Sequence, residues 1–299
     1  MSLEVLDPGW ASRIVDMGRP DWRSLGVPVG GAADRTALAI GNALVGNPPD
    51  AAALEVCLNG PRLRATTDAV CVIYGAPFEI TGPRLGLCPA KTFILHKDDG
   101  LNIGGTADGM RTYLCVRGGF EAPRILGSRS ALELIRRGDH LACPAGNSLS
   151  RFSRELAPTY ADHYTLRVLP GLQSDWVSGD AFYQQEFTIS PASNRMGLRL
   201  QGDPLALPDR ELVSEPVAPG AVQVTRDGQC IILGVDGQTI GGYPKIAHVI
   251  QADLDRLGQL RPGDRVRFVR VHIDEAAGLF RRQQAALTRT LLRLRAACG

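Results

Sequence analysis

The 299-residue sequence predicts a mainly β protein built from two related β units, with a few helices and one long helix at the C-terminus. Three observations carry this reading. Short runs rich in β-branched and aromatic residues outnumber helical patterns along the chain. The 34 Gly and 20 Pro stand singly, as punctuation between such runs. Finally, three stretches of the first half recur in the same order in the second: Leu58–Leu63 echoes as Leu200–Leu205, Ala69–Val72 as Ala221–Val224, and Leu132–Leu141 as Leu257–Val266.

The elements follow in order. Asp34 is placed to cap a helix running through Leu38, Ala39, Ala43 and Leu44 to a stop at Gly46. Strands are expected over Ala69–Tyr74, Thr92–His96 and Thr112–Val116, the last preceded by a glycine-rich turn at Gly104–Gly109. That turn lacks the G-K-[ST] ending of a phosphate loop. The polar, turn-like stretch Pro144–Asp162 reads as a linker and divides the chain into units over residues 1–155 and 156–299. Further strands are expected over Thr165–Leu169, Phe187–Ser190, Ala221–Val224, Ile231–Val235 and Val266–Val271. A short helix over Ala252–Gln259 precedes a C-terminal helix over Asp274–Ala297. The latter aligns Leu279, Phe280, Leu287, Leu291 and Leu294 broadly along one side.

Composition removes several classes of function. The 33 basic and 31 acidic residues leave a net charge of +2, without the basic excess of a nucleic-acid binder. No apolar run reaches the ~18 residues of a membrane span. The opening MSLEVLDPGW has neither a basic nor an apolar signal region, so a cytoplasmic location is expected. The seven Cys (57, 71, 88, 115, 143, 230 and 298) are widely spaced, form no C-x-x-C and sit largely in apolar runs. They read as reduced, buried thiols. The five His show no ligand spacing, so no metal site is expected. Only three of the 33 basic residues are Lys (91, 97 and 245), and a Lys in an Arg background draws notice because its ammonium can be tuned by its surroundings.

Lys245 falls within Gln238-Thr239-Ile240-Gly241-Gly242-Tyr243-Pro244-Lys245-Ile246, where paired glycines permit a close approach. Gln223 and Gln238 lie in or just after apolar strand runs, where an amide needs a partner. Asp236, Ser214-Glu215 and Ser193-Asn194-Arg195 are neighbours in sequence. An amide, a phenol, an ammonium and a guanidinium in one region suit a carboxylate or carboxamide ligand. A glycine turn beside a solvated Lys is the competing reading.

The same strings resemble the family of the 5-oxoprolinase C subunit, also called the KipA or biotin-dependent carboxyltransferase family and, in older usage, allophanate hydrolase subunit 2. It is similar to part of the carboxyltransferase region of urea carboxylase. The motifs are Asp16-Met17-Gly18-Arg19, Gly26-Val27-Pro28, Ala33-Asp34, Asn42–Asn47, Leu54-Glu55, Arg117-Gly118-Gly119 and Leu126–Ser130. Ser193–Gly197, Ser214-Glu215, Pro219–Val224, Asp227–Gln229 and Gln238–Ala247 complete them. The resemblance implies two cyclophilin-like β-barrel units. It also implies ATP-dependent opening of 5-oxo-L-proline to glutamate by a hetero-oligomeric complex with a KipI-like B subunit and an A subunit. Alternatives within it are a carboxyltransferase component that acts on urea or a related amide, and a non-catalytic KipA-like protein that binds and antagonises a KipI-like regulator.

By type, Lys245, Tyr243 and Gln238 suit catalytic roles. Gln223, Arg195, Asp236, Gly241, Gly242, Ser214 and Glu215 suit substrate binding, with Arg195 as a fork for a carboxylate. No Lys has a flanking Met as in a biotin attachment string, so biotin would arrive on another protein, and ATP would be used by the complex. Two departures from the family pattern stand out. Ser130 runs directly through Ala131–Arg137 to Gly138-Asp139 without a glycine-rich loop, and Pro20-Asp21-Trp22 follows Arg19.

Overall fold

The computed structural model of the chain describes residues 2–82, 89–146, 164–177 and 179–296. Its backbone clusters into two units. The first takes Met1–Arg19, Asp34–Tyr160 and Ala286–Gly299; the second takes Pro20–Ala33 and Ala161–Ala285. The boundary expected between 155 and 156 lies outside the described residues, as does the predicted linker from residue 147 onward. One assignment has no counterpart in the sequence reading: residues 20–33, early in the chain, belong to the second unit.

Among the described residues, the first unit holds β1 (Ser2–Asp7), β2 (Ala11–Val15), β3 (Ala53–Cys57), β4 (Arg62–Ala65), β5 (Ala69–Gly75), β6 (Ile80–Thr81), β7 (Phe93–Leu95), β8 (Gly100–Ile103), β9 (Arg111–Val116) and β10 (His140–Ala142). They form two five-stranded sheets, ordered β10-β1-β4-β8-β6 and β2-β3-β9-β5-β7. Strand β4 alternates exposed Arg62 and Arg64 with buried Leu63 and Ala65, as a one-sided strand should. The central strands β5 and β9 are buried throughout. Leu3, Leu63 and Leu101 from one sheet join Leu54, Ile73 and Leu114 from the other in a single core. Helix α1 (Arg35–Leu44) starts where Asp34 Oδ1 accepts the Ala37 amide at 2.8 Å, and Gly46 follows its end at φ +81°.

The second unit holds β11 (Thr165–Pro170), α2 (Ala181–Gln184), β12 (Phe187–Ile189), β13 (Gly197–Gln201), β14 (Glu215–Pro216), β15 (Ala221–Val224), β16 (Cys230–Leu233), β17 (Ile240–Gly241), β18 (Lys245–Val249), α3 (Leu254–Leu257) and β19 (Arg265–Arg270). Seven of its strands close a barrel in the order β11-β18-β15-β16-β13-β12-β19, sealed by a parallel pairing of β11 with β19. Closure leaves no edge strand open in that barrel. Val168, Ile189, Val222, Ile232, Val266 and Phe268 fill its core. Strands β14 and β17 form a separate two-stranded ladder. Helix α4 (Ile273–Ala296) carries Asp274 and Glu275 in its first turn and Arg293 and Arg295 in its last, matching its dipole.

The internal echo has a geometric basis in its third member. In the first unit Arg136 N donates to Asp139 Oδ2 at 2.7 Å, Gly138 N to Val5 O at 2.8 Å, and Val5 N to Asp139 O at 2.9 Å. In the second, Arg261 N donates to Asp264 Oδ2, Gly263 N to Ile189 O and Ile189 N to Asp264 O, each at 2.8 Å. Both turns need glycine, at φ +89° and +92°. The second echo pairs strands β5 and β15. The first does not hold: Arg62 begins β4, whereas Gln201 ends β13.

Candidate active site

The Lys245 region is assembled by five short pieces of the second unit. Strand β18 carries a bulge: Val222 pairs with Ala247, but Gln223 pairs with Lys245, leaving Ile246 extra. A bulge bends the strand and re-aims its side chains. Here it sets Lys245 directly opposite Gln223. The carbonyls of the bulge are met by the turn after β11, where Gly171 N donates to Ile246 O at 2.9 Å and Gln173 N to Lys245 O at 3.0 Å.

Gln173 closes this arrangement. Its Oε1 accepts the Lys245 amide at 2.9 Å, and its Nε2 donates to Glu215 Oε1 at 3.1 Å. Glu215, on β14, forms an ion pair with Lys245 Nζ through the same oxygen. The Lys245 contact, aided by the Gln173 hydrogen bond and against the effect of burial, holds the Glu215 carboxyl below its ordinary value of 4.5. Glu215 is therefore an anion at neutral pH and the fixed counter-charge of the ammonium.

Two buried donors remain open. Among the described residues, Lys245 Nζ has no acceptor beyond Glu215, and Gln223 Nε2 has none, although Gln223 is only 1% exposed. Leaving a buried donor unsatisfied costs about 1–3 kcal/mol, so a group that supplies an acceptor is favoured there. Gly241, paired with Glu215 across β14 and β17, packs closely against these donors. A Cβ on Gly241 would lie 2.7 Å from Gln223 Nε2 and 2.9 Å from Gln238 Nε2. A Cβ on Gly242 would lie 3.3 Å from Ser214 Oγ.

The structure thus brings Gln223, Gln238, Gly241, Gly242, Ser214, Glu215 and Lys245 together. Gln238 is exposed as a residue, although its Nε2 lies close to Gly241. Tyr243 is 40% exposed, in the bend before Lys245. Arg195 and Asp236 differ from expectation. Arg195 Nε and Nη2 bond both oxygens of Asp236, at 2.7 and 3.0 Å, and Nη2 also donates to Gly31 O at 2.6 Å. Its fork is occupied by a partner within the unit and ties down the 20–33 segment, with Gly30 N bonded to Val235 O at 2.9 Å. Arg195 thus spends Nε and Nη2 on Asp236 and Gly31, where the sequence reading expected an open fork for a carboxylate.

Gln173 was not legible as a site residue, because it lies 72 residues from Lys245. The available signal was a glycine just after a strand, followed by an amide. Among the described residues, no group of three or more His, Cys, Asp or Glu is placed to hold a metal. None of their helices is long and apolar enough to cross a membrane.

Comparison with known proteins agrees with this architecture. The chain is 37% identical to the 5-oxoprolinase C subunit of Escherichia coli (strain K12), across 92% of this chain and 93% of that protein. It is 28% identical to the urea amidolyase of Lachancea kluyveri, across 96% of this chain but 18% of that protein. In structure it matches the K. lactis urea amidolyase with a TM-score of 0.88 at 27% identity, covering 97% of this chain and 20% of that one. It matches TTHA0988 with a TM-score of 0.81 at 31% identity, covering 90% of this chain and 56% of that one. The model of the carboxyltransferase domain, subdomain A and B, matches residues 25–270, and the chain belongs to that family.

Proposed function

We propose that this chain is the amide-handling component of a 5-oxoprolinase-type complex, which opens 5-oxo-L-proline to glutamate at the expense of ATP, working with a KipI-like B subunit and an A subunit. The observation that carries the reading is the set of buried donors around Gly241, Lys245 Nζ and Gln223 Nε2, which lack a full set of acceptors. An amide carbonyl gains negative charge when its carbon is attacked. Donors already fixed in a water-poor site stabilise that charge without reorganising. Lys245, held against the Glu215 carboxylate, is the donor to the developing oxyanion in this reading. Gln173 positions both members of the pair.

A second reading is carboxyl transfer to urea or a related amide, with carboxybiotin brought as substrate on another protein. The family match and the likeness to urea amidolyase support it, and the same donors would serve a planar amide. The reading as a non-catalytic KipA-like binder of a KipI-like regulator has less support, because a purely structural interface has no need of buried donors short of acceptors beside Gly241.

The test is glutamate release by the reconstituted complex. Lys245→Ala is expected to lower ATP-dependent turnover by about 10²–10³-fold, in the range for removing one oxyanion donor. A folded Lys245→Ala variant that assembles and turns over normally overturns the assignment.

A further inference from the structure

A further buried donor of the second unit, with no acceptor among the described residues, is Nη1 of Arg23. Arg23 lies in the 3-10 turn Pro20–Leu25, inside the 20–33 segment that packs as part of this unit. Its Nη2 donates to the carbonyl of Val217. Val217 is two residues beyond Glu215, and its own amide donates to Thr239 O at 2.9 Å, extending the β14–β17 ladder. A Cβ on Gly241 would lie 3.6 Å from Val217 Cγ1 and 2.7 Å from Gln223 Nε2. Arg23 is therefore anchored two residues from Glu215, on a residue whose side chain packs beside Gly241.

Lys245 is paired with Glu215, and Arg195 with Asp236. Arg23 has no carboxylate partner among the described residues. A part-buried guanidinium is costly without a counter-ion, and its planar fork is suited to two carboxylate oxygens.

We propose that Arg23 forms an anion subsite for a carboxylate carried by the amide substrate. The substrate class is then an anionic amide, such as a lactam bearing a carboxylate, rather than a neutral amide such as urea. The inference rests on the placement of the amide at the Lys245 donors proposed above. It moves the carboxylate clamp from Arg195, whose fork is occupied, to a residue delivered by the early segment of the chain.

The test uses the reconstituted complex and two probes: 5-oxo-L-proline and the same five-membered lactam without its carboxylate. Arg23→Gln is expected to raise KM for the carboxylated lactam about 10–100-fold, the range for a charge-assisted pair, with kcat kept. Binding of the neutral lactam should be unchanged, and Arg23→Lys, which keeps the charge, should recover part of the loss. An unchanged KM, or an equal loss on both lactams, overturns the proposal. Lys245→Ala in parallel separates the two readings: an Arg23 effect on KM with no Lys245 effect on kcat removes the catalytic reading and leaves the anion subsite standing. If the wild-type complex turns over neither lactam, calorimetric titration decides. Binding of the carboxylated lactam that is lost in Arg23→Gln supports the subsite, and binding indifferent to Arg23, or absent in wild type, overturns it.

Discussion

At Gly171, one hydrogen in place of a methyl group decides whether the Lys245 bulge forms. A Cβ there would lie 2.1 Å from Lys245 O and 2.8 Å from Ala247 N, both main-chain atoms that cannot swing aside. Gly171→Ala is expected to cost about 1–3 kcal/mol through forced backbone movement. It should also lower turnover more than a surface alanine of equal destabilising effect, because the displaced carbonyl belongs to Lys245. Thermal unfolding and activity of the variant check this together, and an unshifted Tm would remove the packing argument. Gln173 works at the same scale. It is 8% exposed, and each of its amide atoms meets a different member of the site, so its value lies in geometry rather than in reactivity.

Among the elements, the two motifs Asp16–Arg19 and Leu126–Ser130 become one hydrogen-bonded unit. Burial raises the Asp16 carboxyl, but Ser128 Oγ at 2.6 Å, Ser130 Oγ at 2.7 Å and the amides of Arg129 and Gly18 outweigh it and hold the group below its ordinary value of 3.8. A carboxylate lowered by folding stabilises the folded state above its unfolded value, and loses that contribution as pH falls through the folded one. Asp16→Asn should therefore destabilise the protein at pH 7, and the gap to wild type should close as pH drops below 3.8. Denaturant titrations across that range measure it; a gap constant with pH would mean that the charge plays no part. Arg19 adds Nη2 to Ser130 O at 2.6 Å, so the short connection after Ser130 is tied to the chain's start without the glycine-rich loop. The duplicated strands also show where chemistry was placed. Cys71 echoes Gln223, but it pairs with Val116 and both are wholly buried, so the first unit keeps an apolar core where the second keeps an amide and an ammonium.

For the whole molecule, the thiols make a simple probe of integrity. Cys71, Cys115, Cys143 and Cys230 are buried, and burial pushes each thiol up, Cys143 to about 11 and Cys230 to about 12. A maleimide at neutral pH should leave these four unlabelled in the native protein and modify all of them on unfolding, read by peptide mass; rapid native labelling of any one would contradict the packing. Strand periodicity and glycine punctuation were enough to foresee β5, β9, β15, β19, α1 and α4, because each is specified by local pattern. The charged alternation of β1 and β4 hid those strands, since Glu4 and Arg64 meet only across the sheet, at 2.6 Å. The sequence by itself determined a mainly β chain of two echoing units and a polar cluster centred on Lys245, since residues close along the chain carry that information. Only the tertiary structure decided that Gln173 and Glu215 hold Lys245, that Asp236 occupies Arg195, and that Arg23 crosses into the second unit. Those contacts join residues 30 to 194 positions apart, where side-chain choice depends on a partner that no local pattern reveals.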